Sequence, residues 1–447
     1  MIKKKLIKLS GWGNYPVIET YAVNLKNQTD AKDIIDEEVI ARGLGRSYAD
    51  QAINDNRTAA LCIGLNKFLA FDDTTGILEC EAGISLEDII NVFAPRNWFP
   101  MICPGTKFVT IGGAIANDIH GKAHHSDGSF VNCVLSFSIL LADGKILNAS
   151  REENSDLFWA NFGGLGLLGI ILTAKIQLKK IETTYFKQKA IKVNNLDELL
   201  SALNDYDKTF NYSVAWIDPS AKNGKLGSGV LTVGNRALYN ELPKKLKSKA
   251  LKLHTNKKIN LPFYLPDFAL NNFTSKILNR AIFYMQNSQK EFVHYEKFFF
   301  PLDMIGNWNK GYGKRGFIQY QFVIPKDDNI ENLKAILESI VSSGCTPFLN
   351  VFKIMGKAQG ILSFPFEGYT LAIDFPMSEK LKKFIPQLDK KVLDANGRLY
   401  LGKDALLDRN TFRKMYPQAE EWLKIKAKYD PDNIFTSNIS RRLGLTL

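Results

Sequence analysis

Metal ligands and cross-linking residues are scarce in this chain of 447 residues. It has only five cysteines and five histidines, and the cysteines are scattered, odd in number and without a Cys-x-x-Cys pair. This argues against a disulfide framework and against a zinc site. No uninterrupted apolar run approaches the ~18–20 residues of a membrane-spanning helix, and no apolar region follows the basic start at residues 3–8. We therefore expect a soluble, cytoplasmic protein without a metal ion.

Acidic residues are also in the minority, with 46 against 58 basic residues and a net charge of +12. Such a surplus favours anionic partners, namely phosphorylated substrates, acidic lipid headgroups or nucleic acid. Hydrophobic residues make up 45% of the chain and charged residues 23%, which are the proportions of a globular protein. At ~150 residues per domain, the length corresponds to about two to three domains.

The first 180 residues combine glycine-rich turns with short apolar stretches. The predicted elements are strands at residues 61–65, 77–81, 134–141 and 170–178, and a helix around residues 157–159. Asp143-Gly144 predicts a hairpin turn after the third strand. Ser85 and Asp88 precede apolar residues with helical spacing, which predicts a helix that begins with a capping box.

Beyond residue 181 the strands become longer and glycine clusters rarer. Predicted strands cover residues 212–217, 229–233, 317–324, 348–354, 369–375 and 398–401. Helices are predicted to begin near Asn329 and Ser378, and the second to end at Gly397 as its C-cap. We divide the chain into a first domain (1–181), an antiparallel-sheet domain (182–397) and a tail (398–447), with a helix over residues 419–428, that returns to the first domain or packs on the second.

One segment, residues 244–268, is both basic and aromatic. Its seven lysines are Lys244, Lys245, Lys247, Lys249, Lys252, Lys257 and Lys258, and its apolar residues include Phe263, Tyr264, Leu265 and Phe268. A solvated loop followed by a core helix explains this pattern. A surface that contacts an anionic membrane also explains it, because each lysine near acidic lipid contributes ~1 kcal/mol.

Residues 164–169 form a literal G-x-G-x-x-G sequence. A dinucleotide-binding fingerprint of this kind follows a strand and opens a helix. Here a predicted helix precedes the glycines and a strand follows them, so we predict that this match is fortuitous.

Two other glycine segments are better suited to an anion and a planar ring. The first is Arg42, Gly43, Leu44, Gly45, Arg46, Ser47 and Tyr48, in which turned backbone N–H groups can form a nest for a pyrophosphate. The second comprises Gly105, Thr110, Ile111, Gly112, Gly113, Asn117, Asp118, Ile119, His120 and Lys122. Its double glycine allows backbone to lie flat against a ring, and its polar residues reach the edge of that ring.

Motifs along nearly the whole chain resemble the decaprenylphosphoryl-β-D-ribose 2-oxidase family, which belongs to the vanillyl-alcohol-oxidase-type flavoenzymes. The matching segments are residues 11–13, 42–48, 120–126, 128–130, 157–159, 301–309, 315–322, 350–353, 374–376, 398–400, 403–404 and 441–443. The resemblance implies an α+β, two-domain PCMH-type FAD-binding fold with an antiparallel-sheet substrate domain. It also implies oxidation of the ribose 2-hydroxyl of a polyprenyl-phosphate sugar, with hydride transfer to flavin N5, as the first half of an epimerisation in cell-wall precursor synthesis.

By this resemblance, FAD lies between the first domain and the tail. The two glycine segments, Ile171 and Tyr400 then contact the cofactor. Many relatives attach FAD through a histidine at the position of Arg46, which cannot form that bond, so we expect dissociable FAD. Cys103 is an alternative attachment point, and a small buried apolar residue is its other interpretation.

The second domain supplies the predicted substrate contacts. On the strand at residues 317–324, period-two alternation puts Gln319 and Gln321 on one face and apolar residues on the other. By resemblance, Lys122, Lys353 and Lys403 belong to the pocket, where a lysine can bind phosphate, stabilise an alkoxide or act as a base. We assign Lys403 to the reacting hydroxyl, Lys122 and Lys353 to phosphate or sugar, and Tyr400 to orientation, with His120 as the alternative base.

The chain departs from the family at two pocket positions. Thr370 and Ala372 stand where well-known members have asparagine and cysteine, which leaves the shape of the substrate open. We expect Thr370 to contact the substrate. A soluble sugar, lactone or polyol is the alternative substrate class, and a non-catalytic protein that binds membrane or nucleic acid is a third hypothesis. Epimerisation also implies a short-chain NAD(P)H-dependent reductase as partner, and we expect no nucleic acid.

Overall fold

The computed structural model describes residues 3–219, 221–253, 259–287, 290–326, 330–357 and 359–446. Its first ten strands are β1 (Lys5–Ser10), β2 (Val17–Asn24), β3 (Val39–Arg42), β4 (Thr58–Leu61), β5 (Phe68–Asp72), β6 (Ile77–Glu81), β7 (Trp98–Pro100), β8 (Val134–Leu140), β9 (Ile146–Ser150) and β10 (Ile170–Lys180). The later strands are β11 (Tyr185–Val193), β12 (Tyr212–Ile217), β13 (Gly229–Arg236), β14 (Ile259–Asn260), β15 (Phe292–His294), β16 (Ile305–Gly306), β17 (Phe317–Pro325), β18 (Phe348–Met355), β19 (Gly368–Pro376) and β20 (Arg398–Leu399).

Helices connect and cover these strands. They are α1 (Gln28–Lys32), α2 (Leu86–Phe93), α3 (Ile111–Ala116), α4 (His124–Asp127), α5 (Ser155–Asn161), α6 (Leu196–Tyr206), α7 (Lys244–Lys247), α8 (Asn272–Asn287), α9 (Tyr295–Phe299), α10 (Ile330–Ser342), α11 (Glu379–Asp394), α12 (Arg409–Met415), α13 (Ala419–Tyr429) and α14 (Asn438–Leu443). No helix in this described part of the chain is long and apolar enough to cross a bilayer.

Two sheets make up the first half of the chain. A four-stranded sheet has the order β1-β2-β4-β3, and a larger sheet has the order β5-β6-β10-β8-β9, with β7 also on β10. Strand β10 confirms the strand predicted at residues 170–178, and every second residue from Ile170 to Leu178 is buried. The glycine-rich segments lie in the connections of these two sheets.

The second half is built on one eight-stranded sheet, in the order β15-β11-β13-β12-β18-β19-β17-β20. Its pairings are antiparallel, as the sequence predicts. Helices α6, α8 and α11 pack against it. Together with the sheets of the first half, this arrangement confirms the α+β class.

The end of the chain contacts both halves. Strand β20 extends the eight-stranded sheet by pairing with β17. Phe435 then forms a bridge with Val39 of β3. On α13, Trp422 Nε1 donates to the carbonyl of Ala160 at 2.8 Å, and Lys426 Nζ donates to the carbonyl of Leu167 at 2.6 Å. The tail therefore fastens the loop in front of β10.

Most predicted elements are present, and two local predictions are wrong. The capping box at Ser85 and Asp88 is confirmed, but residues 62–64 form a 3-10 turn after β4 instead of continuing the strand. Helix α11 does not end at Gly397 as its left-handed cap, because Asn396 takes the positive φ of 55°. Gly397 is required for close packing instead, since a Cβ there would lie 2.6 Å from the carbonyl oxygen of Val323. Asn329, near which α10 was predicted to begin, lies outside the described residues.

Candidate active site

A cavity of about 1100 Å³ lies between the glycine-rich loops and the eight-stranded sheet. Because small-molecule sites usually enclose roughly 300–1,000 Å³, it has room for a dinucleotide and a second ligand. Its wall contains the predicted cofactor residues Arg42, Gly43, Leu44, Gly45, Arg46, Ser47, Tyr48, Gly105, Thr110, Gly112, Gly113, Asn117, Ile119, His120, Ile171 and Tyr400. It also contains the predicted catalytic or substrate residues Lys122, Gln319, Gln321, Lys353 and Lys403.

Three other predicted site residues are not part of this wall. The Asp118 carboxylate is fully buried and accepts hydrogen bonds from Ser129, Ser363 and the backbone of Val131. Ile111 packs in the core. Thr370 lies behind Gln321, where its hydroxyl accepts from the Gln321 amide at 3.1 Å and donates to a backbone carbonyl. In this structure all three therefore lie behind the wall and support it, and their predicted ligand contacts stay predictions.

Hydrogen bonds and close packing fix the conformation of the first glycine loop. Arg42 donates to the carbonyls of Ser10 and Ala52, so its guanidinium fastens the loop from the side. Gly45 has a φ of +65°, and a Cβ there would lie 2.3 Å from that guanidinium. A Cβ at Gly43 would lie 2.2 Å from the Thr110 hydroxyl. Both glycines are therefore needed for the loop to approach its neighbours closely.

The second glycine loop faces free space at Gly105. No atom lies within 4 Å of a Cβ built at Gly105, which borders the cavity. Thr110 caps α3 through the backbone N–H of Gly113. Gly112 and Gly113 also border the cavity, and a Cβ at either would lie 3.1–3.2 Å from Thr110 or Ala82. Glycine backbone thus lines this side of the cavity, where a flat ring can lie against it.

Several polar atoms on the wall lack a hydrogen-bond partner in the part of the chain that the structure describes. They are Arg46 Nε, His120 Nδ1, Trp216 Nε1, Gln321 Oε1 and Asn350 Nδ2. Buried polar groups are nearly always satisfied, because an unmade hydrogen bond costs about 1–3 kcal/mol. Donors and acceptors are therefore available for a polar ligand on both the loop side and the sheet side of the cavity.

Lys122, Lys353 and Lys403 all line this cavity. Lys353 Nζ donates to the Gly121 carbonyl at 3.2 Å, and Lys122 Nζ donates to the Phe298 carbonyl. Burial lowers the pKa of Lys122 to about 7, with a further contribution from the charge of Lys353. Burial lowers the pKa of Lys353 itself to about 8. A neighbouring anion would relieve this clustering of cations.

Lys403 differs from the other two lysines in its surroundings. Within the described residues its amine has no hydrogen-bond or ion-pair partner, and it lies 5.5 Å from the centre of the Tyr48 ring. Burial and then the charge of Lys353 lower the pKa of Lys403 to about 7, against the opposing effect of Asp374. An amine in this position can exist as the neutral base near neutral pH.

Asp374 is a cavity residue that the sequence reasoning did not assign. Register pairs it with Gln319, whose amide donates to it at 2.5 Å, and Tyr312 donates to its other oxygen at 2.8 Å. Burial raises the pKa of Asp374 to about 7. Gln319 is therefore partly occupied by this carboxyl group and is not wholly available to a ligand.

His120 and Tyr400 are fixed by neighbouring groups. The Gln321 amide lies 3.1 Å from His120 Nε2, within hydrogen-bond distance. Burial and the charge of Lys353 hold the pKa of His120 well below its usual value, so the ring is neutral. The Tyr400 hydroxyl donates to the Asn117 carbonyl at 2.9 Å. The tyrosine thus orients the second glycine loop.

The G-x-G-x-x-G sequence also reaches the cavity, although not as a helix opener. Residues 164–169 connect α5 to β10, which is the reverse of a dinucleotide fingerprint. Even so, Leu165, Gly166 and Gly169 line the wall beside Ile171. Their position depends on the packing of α13 against this loop. That contact joins residues more than 250 positions apart, so the sequence does not predict it.

Lys107 fastens the second glycine loop to the opposite side of the cavity. Its amine lies 2.8 Å from Glu296 of α9 and 3.3 Å from Glu87 of α2. Its backbone N–H donates to Asp303 at 2.9 Å. We call this group of residues the Lys107 latch.

Comparison with known proteins identifies the relatives of this chain. Residues 32–150 match the family described as FAD binding domain, and residues 317–443 match the family described as D-arabinono-1,4-lactone oxidase. A decaprenylphosphoryl-β-D-ribose oxidase from Mycolicibacterium smegmatis is 38% identical over 98% of this chain and 97% of its own length. Mouse L-gulonolactone oxidase is 26% identical over 89% of this chain and 87% of its own length.

Solved structures show the same fold at low sequence identity. A xylooligosaccharide oxidase from Myceliophthora thermophila, solved with xylobiose, superposes with a TM-score of 0.67 over 94% of this chain and 91% of its own, at 13% identity. A BBE-like protein from Physcomitrella patens gives a TM-score of 0.64 over 94% and 90%, also at 13% identity. These neighbours confirm the predicted PCMH-type fold.

Proposed function

Because the chain belongs to the decaprenylphosphoryl-β-D-ribose oxidase family and is an FAD-dependent oxidoreductase, we propose that it oxidises the ribose 2-hydroxyl of a polyprenyl-phosphate sugar. The observation that carries this proposal is the meeting of Lys122, Lys353 and Lys403 on the cavity that the glycine loops border. Clustered amines favour an anionic ligand such as a phosphodiester. The wall also offers amides for sugar hydroxyls, at Gln321 and Asn350.

The residues of the first half fit FAD. The loop Gly43 to Tyr48 offers a nest for the pyrophosphate, and the glycine backbone that lines the cavity at Gly105, Gly112 and Gly113 offers a surface for the flavin ring. When bound, FAD supplies the hydride acceptor that no side chain can provide.

We propose that the cofactor is held without a covalent bond. Arg46 occupies the position at which a histidine would form the link, and its guanidinium lies 4.0 Å from the centre of the Trp12 ring. Burial raises the pKa of Cys103 to about 12, so this thiol stays protonated and is a poor nucleophile.

Proton removal from the alcohol is assigned to Lys403. Its amine faces the cavity. Among the described residues it has no hydrogen-bond or ion-pair partner, so its nitrogen is available to accept a proton. Lys122 and Lys353 serve as anchors for phosphate or sugar, since each is already fixed by a backbone carbonyl. His120 is less suited to this step because its Nε2 is already in hydrogen-bond contact with Gln321. Tyr400 and Thr370 support the two sides of the site.

The wider role follows from the chemistry of the product. A ketone formed at the ribose 2-position needs reduction from the opposite face to complete an epimerisation, and we assign that step to a short-chain NAD(P)H-dependent reductase. We also propose a peripheral contact with anionic membrane through the basic segment 244–268. Its described lysines at 244, 245, 249 and 252 are exposed, whereas Lys257 and Lys258 lie outside the described residues.

Anaerobic mixing tests the reaction directly. The flavin absorbance near its visible band is followed after mixing with prenyl-phosphoryl ribose, prenyl-phosphoryl arabinose, free ribose and a sugar lactone. We expect bleaching by prenyl-phosphoryl ribose at a rate at least tenfold above that of any other compound. Bleaching by the free sugar or lactone alone would reject the lipid-linked substrate in favour of a soluble one.

A further inference from the structure

Exposed apolar side chains are concentrated in two segments of the second half of the chain. We define the rim as residues 259–287 together with 305–308. Nine of the 23 large hydrophobic residues that are exposed within the described chain belong to it: Ile259, Phe263, Phe268, Phe273, Ile277, Leu278, Tyr284, Met285 and Ile305. Three are among the most exposed, with Phe268 at 79%, Ile259 at 73% and Phe273 at 72%. Such a concentration marks an interaction surface.

Helix α8 presents different residues on its two sides. Ser275 and Asn279 are buried, and Ser275 Oγ donates to the Pro347 carbonyl at 2.8 Å, which fixes the helix on the sheet. Phe273 and Ile277, four residues apart on one face, point outward and are 72% and 54% exposed. Lys276 and Arg280 are exposed beside them. This combination of apolar and basic residues is typical of a helix that lies in a membrane interface.

The rim is continuous with the cavity. Leu278 is 44% exposed and Ile305 42%, and both line the cavity wall. Leu265, Leu270 and Trp308 line it as well. Strand β14 joins the two parts of the rim by pairing with β16, Ile259 opposite Ile305. Apolar residues of the rim and the three lysines therefore line the same cavity.

The positive charge around the rim indicates that its partner is an anionic surface. Between residues 244 and 287 the sequence has eight lysines and one arginine against a single acidic residue, Asp267. Each basic side chain close to an acidic bilayer contributes about 1 kcal/mol, and buried apolar area adds to this.

We propose that the rim docks on an anionic bilayer, with Phe268, Phe273 and Ile277 in the boundary between headgroups and acyl chains. The prenyl chain of the substrate then passes between Leu278 and Ile305, and its phosphate reaches the lysines while the chain stays in apolar surroundings. This second part rests on the proposed function and adds to it the subsite for the lipid. The docking itself is independent of the reaction.

Vesicle flotation tests the docking. The FAD-loaded protein is mixed with vesicles of phosphatidylglycerol and phosphatidylethanolamine, or of phosphatidylcholine alone. The test variant is Phe273→Ser with Ile277→Ser. The control is Leu69→Ser with Leu135→Ser, which changes residues 47% and 37% exposed on the six-stranded sheet. We expect the wild type and the control to float with the anionic vesicles, and the test variant to bind at least tenfold more weakly. Equal binding by all three proteins would overturn the docking.

Flavin reduction tests the route of the lipid. Long-chain prenyl-phosphoryl ribose is presented in the anionic vesicles, and a two-isoprene analogue in solution. We expect the test variant to lose at least tenfold in kcat/KM on the vesicle substrate relative to the soluble one, and the control to keep the wild-type ratio. An unchanged ratio in the test variant would refute the route. Absence of flavin reduction by either compound in the wild type would instead refute the proposed function, and the flotation result would still decide the docking.

Discussion

Lys403 shows how a lysine acquires chemistry from its position. Its amine faces a cavity, and burial together with the charge of Lys353 lowers its pKa to about 7. A base must be deprotonated to accept the alcohol proton, so a lowered pKa makes the active form present above pH 7 and absent below it. Gln319, Gln321 and Lys353 surround the same space.

We predict that the rate of flavin reduction by prenyl-phosphoryl ribose rises with pH through an apparent pKa of about 7 and then levels off. Lys403→Ala should retain stoichiometric FAD but lose about 100-fold or more in this rate, since general bases contribute roughly 10²–10⁴-fold. Stopped-flow absorbance across pH 5.5 to 9 measures both effects. Lys424→Ala, at an exposed lysine of α13, is the matched control. Wild-type rates in Lys403→Ala would remove Lys403 from the mechanism.

For single residues, the sequence predicts which face of a strand a side chain is on. It does not predict which other side chains that residue bonds to. Alternation along β17 correctly put Gln319 and Gln321 on the cavity side. The hydrogen bond from Gln319 to Asp374 depends on the register of β17 against β19, which are more than 40 residues apart in the chain. The single sequence does not encode that register locally, so neither the place of Asp374 in the cavity nor the contact between Gln321 and Thr370 could be predicted from it.

The elements around the site are joined by a few buried polar contacts. The Lys107 latch connects the second glycine loop to α9 and to the turn at Asp303. Lys107 is 5% exposed and Glu296 9%. Removing one partner of such a pair leaves the other charge buried without compensation, whereas replacing both with apolar residues is often tolerated.

We predict that Lys107→Met lowers the free energy of unfolding by about 3–5 kcal/mol and that adding Glu296→Leu recovers part of this loss. Urea unfolding followed by tryptophan fluorescence measures the change. Lys382→Met is the control, because its pair with Glu379 lies on the surface and should contribute less than ~1 kcal/mol. Equal effects of Lys107→Met and Lys382→Met would contradict a buried latch.

Helix starts and hairpins were predictable where a local signal exists. The capping box of α2 and the turn at Asp143-Gly144 depend on residues within four positions of each other. The residue at which α11 ends could not be predicted in this way, because both Asn396 and Gly397 can take a left-handed conformation. Asn396 takes it, and Gly397 packs closely against Val323 instead. Packing across the sheet decides such cases.

On the scale of the whole molecule, the cavity has walls from both halves and from the tail. Arg46 and Cys103 both border the place assigned to FAD. Because a ligand that binds only the folded state stabilises it, about 2.7 kcal/mol is gained when free ligand is at 100 times its Kd.

We predict that removal of FAD lowers the Tm by several degrees and that added FAD restores it, measured by differential scanning calorimetry. Acid precipitation should release all flavin into the supernatant, because neither Arg46 nor a protonated Cys103 thiol can hold it covalently. The variant Cys103→Ser should release the same fraction. Flavin that stays with the precipitated wild type and not with Cys103→Ser would show a cysteinyl link.

The return of the tail has a consequence for biosynthesis. Tyr400 and Lys403 complete the cavity, and Phe435 pairs with Val39 near the start of the chain. A nascent chain on the ribosome has its glycine loops long before these residues emerge from the exit tunnel. The flavin is therefore enclosed only after residues 400–435 have left the tunnel, and a chain truncated before Tyr400 would fail to retain its cofactor.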